Sequence, residues 1–176
     1  MKNTRLKILT ETGVMIAAAM ALSQFKLYTL PNGGSVSLGA VPILIFSARH
    51  GVKQGMICGA LAGMLMALLR PIVVHPIQFL LDYPLAYASL GIAGIVKWET
   101  ALKTTSATIL AHLLKMMCHT VAGAVFFIKN KDSLTEIIIA STIYNASYIL
   151  PETLICIVIG VYLTKKHQSL ITRINN

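Results

Sequence analysis

Charged side chains are scarce in this sequence. They make up only 12% of the 176 residues, whereas hydrophobic residues make up 56%. Soluble domains carry roughly 25% charged residues. The composition therefore excludes an ordinary soluble domain and predicts an integral membrane protein. The length fits one compact bundle, so residues 1–176 are expected to form a single transmembrane domain.

Motifs of nucleotide-binding proteins and hydrolases are also missing. The chain contains no GxxxxGK[ST] loop, no HExxH, no GxSxG and no Asp-rich metal pattern. ATP hydrolysis, zinc hydrolysis and nucleophilic hydrolysis therefore have no support in the sequence. If the chain moves a solute against a gradient, the energy must come from partner proteins or from ion coupling.

Cysteine usage and charge exclude two further classes. Cys58, Cys118 and Cys156 lie in apolar runs without CxxC spacing, which predicts small buried side chains, no disulfide framework and no metal site. The formal net charge is +9, but the basic residues concentrate in short loops, as membrane topology demands. No basic run is interleaved with aromatic residues, so nucleic acid is not an expected partner.

Six apolar runs are candidates for membrane spans, because a span needs about 20 mostly apolar residues. The second run is short, which suggests a tilted or partly re-entrant segment. The predicted fold class is therefore all-α, an integral membrane bundle of about six transmembrane helices. The approximate bounds are 8–28, 38–50, 53–70, 77–96, 105–128 and 136–164.

The distribution of lysine and arginine predicts the orientation in the cell membrane. With both termini in the cytoplasm, ten basic residues lie inside, four lie outside, and Lys115 lies within the membrane. This arrangement follows the excess of positive charge found in cytoplasmic loops. The four residues expected outside are Lys26, Arg70, Lys129 and Lys131.

Small residues recur at helical spacing in two of the runs. In the third run they are Gly55, Gly59, Gly63 and Ala67. In the first run they are Ala17, Ala18 and Ala21. Such stripes let another helix approach closely. For the third run, packing inside the bundle is the favoured interpretation. For the first run, internal packing and docking of another membrane protein both remain open.

Polar residues inside the fifth run indicate an intramembrane site. Lys115, His119, Gly123 and Phe127 follow one another at intervals of four, so they share a helix face. A cation and an imidazole are costly in the hydrocarbon layer unless they line a polar cavity. The alternatives are that Lys115 snorkels to an interface and that His119 only bonds a neighbouring helix.

The fourth and sixth runs supply further polar groups. Gln78 and Asp82 lie one turn apart, with Tyr83 beside them, and Lys115 is one candidate partner for the carboxylate. A bound cationic ligand is the alternative partner. In the sixth run, polar side chains recur on one face. The asparagine on this face could form hydrogen bonds with the edge of a bound heterocycle, or it could form a hydrogen bond with a neighbouring helix alone. The residues on this face are Asn145, Tyr148 and Glu152, of which Glu152 is assigned more readily to bundle structure. Tyr144 and Tyr148 can add stacking and a hydroxyl.

Taken in order, these motifs resemble the thiamine-specific substrate-binding subunit (S component) of energy-coupling factor transporters. The resemblance covers essentially the whole chain. It implies a six-helix bundle that binds thiamine near its outer side, needs no cofactor and is not an enzyme. It also implies docking of the first helix to a shared transmembrane subunit and two ATPases. The motifs are Leu9-Thr-Glu, Val41-Pro-Ile-Leu-Ile, Leu81-Asp-Tyr-Pro-Leu-Ala, Gly91-Ile-Ala-Gly, Lys115-x-x-x-His119-x-x-x-Gly123 and Asn145.

The resemblance also implies site residues. Those assigned to the ligand by the resemblance are Asp82, Tyr83, Lys115, His119, Gly123, Phe127 and Asn145. The expected ligand site also includes Tyr144 and Tyr148, either of which could substitute for a family tyrosine, and Ser37 of the first loop. Those assigned to partner docking are Ala17, Ala18 and Ala21. The chain departs from the family pattern at Ala140, where members can have tyrosine, and at Phe127, where members can have tryptophan.

Three other functions remain as alternatives. The chain could be an S component for another heterocyclic vitamin or precursor. It could be an intramembrane enzyme that uses Asp82 and His119 as acid and base. It could also be a structural or regulatory bundle whose polar residues only hold helices together.

Overall fold

Six helices and a short hairpin make up the chain in the computed structural model, which describes residues 2–31, 33–69, 72–131 and 133–174. Asn32 of the first loop and Arg70, which was predicted to lie outside the membrane, fall outside the described residues. The helices are α1 (Lys2–Gln24), α2 (Ala40–Leu69), α3 (Pro76–Leu80), α4 (Ala86–Ser89), α5 (Ala101–Ala122) and α6 (Leu134–Lys166). The hairpin consists of β1 (Lys26–Thr29) and β2 (Ser35–Ser37).

The apolar runs form membrane-spanning helices. In the part of the chain that the structure describes, four helices are long and apolar enough to cross a membrane. The prediction of an all-α membrane bundle is therefore confirmed, and its estimate of about six helices is close. The four segments are Arg5–Gln24, Ala40–Leu69, Ala101–Phe127 and Leu134–Lys166.

Helix α2 contains a sharp reversal at Gly51. This glycine has φ 80° and ψ −179°, which is not helical and which a residue with a Cβ rarely adopts. A straight helix would separate residues 47 and 55 by about 12 Å. Instead, a Cβ added at Gly55 would collide with the Ser47 side chain, so the two halves fold back on each other. The predicted separate runs 38–50 and 53–70 are the two halves.

The fourth predicted run is a continuous but irregular helical segment. After α3, a π-helical turn covers Leu81–Leu85, α4 follows, and a 3-10 segment covers Leu90–Ile95. Pro84 lies inside the π-helical turn. Proline lacks a backbone N–H and clashes with the preceding turn, so a regular α-helix is disfavoured there.

One predicted boundary is wrong. The first run was expected to remain helical to residue 28, but α1 ends at Gln24 and Lys26–Thr29 forms β1. The two strands pair antiparallel, with Lys26 opposite Ser37 and Thr29 opposite Ser35. The apolar character of residues 25–28 comes from exposed side chains of this hairpin, including Phe25 and Leu27.

The small-residue stripe of α2 packs inside the bundle, as predicted. A Cβ added at Gly59 would collide with the Tyr87 carbonyl, and one added at Gly63 would collide with the Tyr83 carbonyl. The backbones of α2 and of the 76–95 segment therefore approach closely, and only glycine permits this. The contact fixes the segment that carries Asp82.

Substituting Gly59 with valine is expected to destabilise the bundle by about 1–3 kcal/mol, because the backbone atoms opposite cannot move aside easily. Gly13 on α1 is a matched control, since a Cβ there would have no neighbour within 4 Å. Thermal unfolding in detergent should show a lower midpoint for Gly59→Val and little change for Gly13→Val. Equal midpoints would contradict the close packing.

Polar contacts join α1, α2 and the C-terminal segment at one end of the bundle. Arg49 Nε donates to Glu11 Oε1 at 2.5 Å, and Arg49 Nη1 donates to the Leu170 carbonyl at 3.1 Å. Arg173 donates to the Gly94 carbonyl. The hairpin lies at the other end of α1, so the site described next is remote from these contacts.

Candidate ligand-binding site

A cavity of about 690 Å³ lies next to the hairpin. Its volume falls within the range of small-molecule sites. It is lined by all ten residues that the sequence assigned to a ligand, which come from the hairpin, the 76–95 segment, α5 and α6. These residues are Ser37, Asp82, Tyr83, Lys115, His119, Gly123, Phe127, Tyr144, Asn145 and Tyr148. The structure brings the set together, and the binding role of each residue stays a prediction.

Two π-helical turns contribute to this cavity. One covers Leu81–Leu85 and presents Asp82 and Tyr83. The other covers Gly123–Phe127 and continues α5, with the Ile128 amide donating to the Gly123 carbonyl five residues earlier at 3.0 Å. Single π turns occur frequently at functional sites, because the extra residue re-aims neighbouring side chains.

Asp82 is held by two donors rather than by Lys115. Its Oδ1 lies 2.8 Å from His119 Nδ1, and its Oδ2 accepts from Gln78 Nε2 at 2.7 Å. Gln78 is itself fixed, because its Nε2 also donates to the Ile72 carbonyl and its Oε1 accepts from the Val74 amide. Lys115, one of the two candidate partners of this carboxylate, is therefore not its partner in the structure.

Lys115 pairs with Glu152 deeper in the bundle. The Nζ donates to Glu152 Oε2, and both residues are only 3% exposed. The ammonium also lies 5.3 Å from the centre of the Tyr87 ring, within cation–π range. Lys115 therefore does not snorkel to an interface, and both members of the pair line the cavity.

The α6 wall is a connected set of hydrogen bonds. Asn145 Nδ2 donates to the Ser141 carbonyl at 2.9 Å, and Asn145 Oδ1 accepts from the Tyr148 hydroxyl at 2.6 Å. Asn145 Nδ2 also lies 3.4 Å from Ser141 Oγ, which itself donates to the Thr120 carbonyl. This network fixes Asn145 and Tyr148 in the orientations that line the cavity.

Aromatic rings provide the apolar part of the cavity. Tyr144 and Tyr148 meet edge to face with centroids 6.0 Å apart, and Tyr148 meets His119 at 6.2 Å. Phe127 lines the cavity from the end of its π-helical turn and stays 42% exposed. Gly123 lets α5 approach α6, since a Cβ there would collide with Ser141 Oγ.

The loop between the strands closes over α6. The Gly34 amide donates to the Tyr144 hydroxyl at 3.2 Å, and a Cβ at Gly34 would lie 2.6 Å from Tyr148 Cδ1. Sequence reasoning missed Gly34, because a flexible-looking Gly-Gly-Ser loop carries no sign of a distant partner. It also missed Tyr87, although its place one turn after Tyr83 could have indicated a shared face.

The small residues of α1 lie on two sides of the helix. Ala17 and Ala21 are exposed, Ala18 is half-buried, and Gly13 has open space beside it. Ile16 and Ala19 face the core instead. The exposed positions Gly13, Ala17 and Ala21 form an uncovered stripe, which we call the α1 small-residue face.

Sequence comparison identifies a family and relatives that match nearly the whole chain. A family model described as thiamine transporter protein (Thia_YuaJ) matches residues 9–172. This chain belongs to that family. The thiamine transporter ThiT of Bacillus subtilis is 35% identical over 166 residues, covering 86% of each chain. The thiamine transporter ThiT of Lacticaseibacillus paracasei is 27% identical over 98% of this chain and 94% of its own.

Two solved structures have the same fold as this chain. ThiT from Listeria monocytogenes superposes with a TM-score of 0.82 at 23% identity, over 96% of this chain and 98% of that one. FolT bound with folic acid superposes with a TM-score of 0.64 at 19% identity, over 94% and 98%. The chain is therefore a multi-pass membrane protein, and its relatives are named as transporters, not as enzymes.

Proposed function

We propose that this chain is the thiamine-binding S component of an energy-coupling factor importer, which captures thiamine from outside the cell. The observation that carries the proposal is the cavity beside the hairpin, where the Asp82 carboxylate is held by Gln78 and His119. The ThiT relatives and the matching family support the same function. Thiamine is the transported ligand, and no cofactor is part of the proposal.

The chemistry of thiamine matches the cavity. Its thiazolium ring is permanently cationic, so a carboxylate such as Asp82 complements the ring or the exocyclic amine of the aminopyrimidine. Tyr144, Tyr148 and Phe127 offer stacking surfaces, each worth about 0.5–2 kcal/mol toward a cationic ring. The Asn145 amide has two N–H groups, and the one that does not bond the Ser141 carbonyl can exchange the long 3.4 Å contact with Ser141 Oγ for a ring nitrogen of the ligand.

Folate is the second vitamin to consider, because FolT shares the fold. Folic acid carries two carboxyl groups, whereas the Asp82 carboxylate lines this cavity without a lysine or arginine partner among the described residues, since Lys115 pairs with Glu152. Like charges in a water-poor site repel each other strongly. The cavity is therefore better suited to a cation such as thiamine than to an anion such as folate.

Uptake requires partners in this proposal. The α1 small-residue face is the docking surface for a shared transmembrane subunit, which two ATPases drive. Ala18, which is half-buried, borders that surface. The end that carries Arg49 and Arg173 faces the cytoplasm together with both termini, and the cavity faces outward.

The proposed function is tested by titrating the purified, detergent-solubilised protein with thiamine and, separately, with folic acid. We expect saturable binding of one thiamine per chain and no binding of folic acid at the same concentrations. Binding of folic acid alone would assign the chain to another vitamin. Binding of neither ligand by correctly folded protein would contradict the proposal.

Phe127 is expected to stack on the ligand. Substituting alanine should weaken thiamine binding by about 0.5–2 kcal/mol, or roughly 2-fold to 30-fold, while Phe127→Trp should preserve or strengthen it. The reason is that a tryptophan ring offers more area and a more electron-rich face. Leu134 on α6, exposed and not lining the cavity, provides the control Leu134→Ala. Equal affinities for the three residues at position 127 would exclude stacking.

A further inference from the structure

The floor of the cavity contains an ion pair that is balanced within the protein. Lys115 donates to Glu152, and both side chains are 4% exposed. Tyr87 covers the same ammonium group. A buried charge is costly unless it has a partner, so Lys115 and Glu152 depend on each other.

Asp82 has a different environment, although it lines the same cavity. Gln78, one of its two partners, is a neutral amide. His119, the other, can donate one hydrogen bond through Nδ1 as a neutral imidazole. Neither side chain carries a permanent positive charge, so Asp82 has, within the described parts of the chain, no fixed counter-ion of the kind that Lys115 provides for Glu152.

We infer that Glu152 determines the charge selectivity of the site by cancelling the charge of Lys115. The inference rests on the proposed function and deepens it. Glu152 already neutralises the charge of Lys115. Among the described residues that line the deep part of the cavity, Asp82 is therefore the carboxylate that has no ion pair with a lysine or arginine. Lys26 also lines the cavity, but it lies on β1 in the hairpin and outside the helix core. The deep part therefore suits a ligand with one positive charge.

Loss of the Glu152 charge has a specific consequence for binding. In a glutamine variant, the Lys115 ammonium would lose its partner, and Asp82 would be the carboxylate left in the cavity to favour the charged form, in a water-poor environment where charges interact strongly over several ångströms. The free ammonium would oppose a cationic ring or neutralise Asp82. It would have little effect on a neutral ring of the same shape. A purely structural role for Glu152 would weaken both ligands to the same extent.

The experiment compares thiamine with a neutral isostere in which a thiophene ring replaces the thiazolium. For E152Q we expect thiamine affinity to fall about 30-fold or more and isostere affinity to change less than about 3-fold. The double variant K115Q/E152Q removes both charges and leaves two amides that can bond each other. It should bind thiamine at least about tenfold more tightly than E152Q does, because the unpaired ammonium is no longer present.

The outcomes separate this inference from the function on which it rests. If the unsubstituted protein does not bind thiamine, both are wrong. If it binds thiamine but E152Q weakens both ligands equally, or K115Q/E152Q recovers nothing while folded, the charge role of Glu152 alone is wrong. Should E152Q not fold, E152D, which keeps the charge, is compared with K115Q/E152Q. Similar thiamine affinities in these two variants support the inference, and a difference above about 30-fold overturns it.

Discussion

Replacing Asp82 with alanine is expected to weaken thiamine binding by roughly 2–5 kcal/mol, or at least about 30-fold. This carboxylate has no lysine or arginine partner in the part of the chain that the structure describes, so it can form an ion pair with a cationic ligand, while Gln78 and His119 hold it in place. Removing it leaves the thiazolium without a counter-charge at membrane depth. Titration of the purified variant in detergent measures the loss.

Related substitutions make this expectation sharper. Asn145→Ala should also weaken binding, because it removes a donor and leaves the Tyr148 hydroxyl without its acceptor. His119→Ala should have a smaller effect, since Gln78 still holds Asp82. Glu136→Ala is the control, because this carboxylate is exposed at the start of α6 and does not line the cavity. Unchanged affinity in both Asp82→Ala and Asn145→Ala, with folding intact, would exclude this site.

Bulky residues on the α1 small-residue face are expected to abolish thiamine uptake in cells. Both Ala17 and Ala21 are exposed, so Ala17→Trp with Ala21→Trp blocks close approach of a partner helix without overpacking the bundle. Thiamine binding to the isolated subunit should stay near normal, because neither residue lines the cavity. Uptake assays, co-purification of the partner subunits and titration of the variant measure the three effects.

A matched control separates docking from a general effect of tryptophan. Leu154 on α6 is 63% exposed and lies outside the cavity, so Leu154→Trp should leave both uptake and binding intact. Loss of thiamine binding in the α1 variant would mean that the stripe packs inside the bundle. Uptake by the purified protein alone in liposomes, without partner or ATP, would refute partner-dependent transport.

Much of the architecture could be predicted because a membrane span leaves a strong signal in hydropathy. The runs 105–128 and 136–164 correspond to α5 with its π-helical turn and to α6. The same signal failed at the end of α1, where exposed apolar side chains of a hairpin look like the continuation of a span. Gly51 was placed correctly between two runs, but no sequence rule specified the reversal.

The composition of the cavity could be predicted better than its internal pairing. Intramembrane polar residues are costly unless they pair or line a polar cavity, so those present are expected to meet, and the family resemblance identified the set. Which polar side chains pair with each other depends on the relative positions of neighbouring helices along their axes. Lys115 and His119 lie about one helical turn apart, so a shift of about 5.4 Å decides which of them meets Asp82. Hydropathy contains no information about such a shift, nor about the two π-helical turns.

The central claim, that this chain holds thiamine in the cavity, is tested most directly by mass spectrometry of small molecules released from the purified protein. Cells producing the chain are grown with thiamine, and Asp82→Ala is purified in parallel. We predict one released thiamine per chain from the unsubstituted protein and a strongly reduced amount from the variant. A different heterocycle, or equal thiamine from both proteins, would contradict the account.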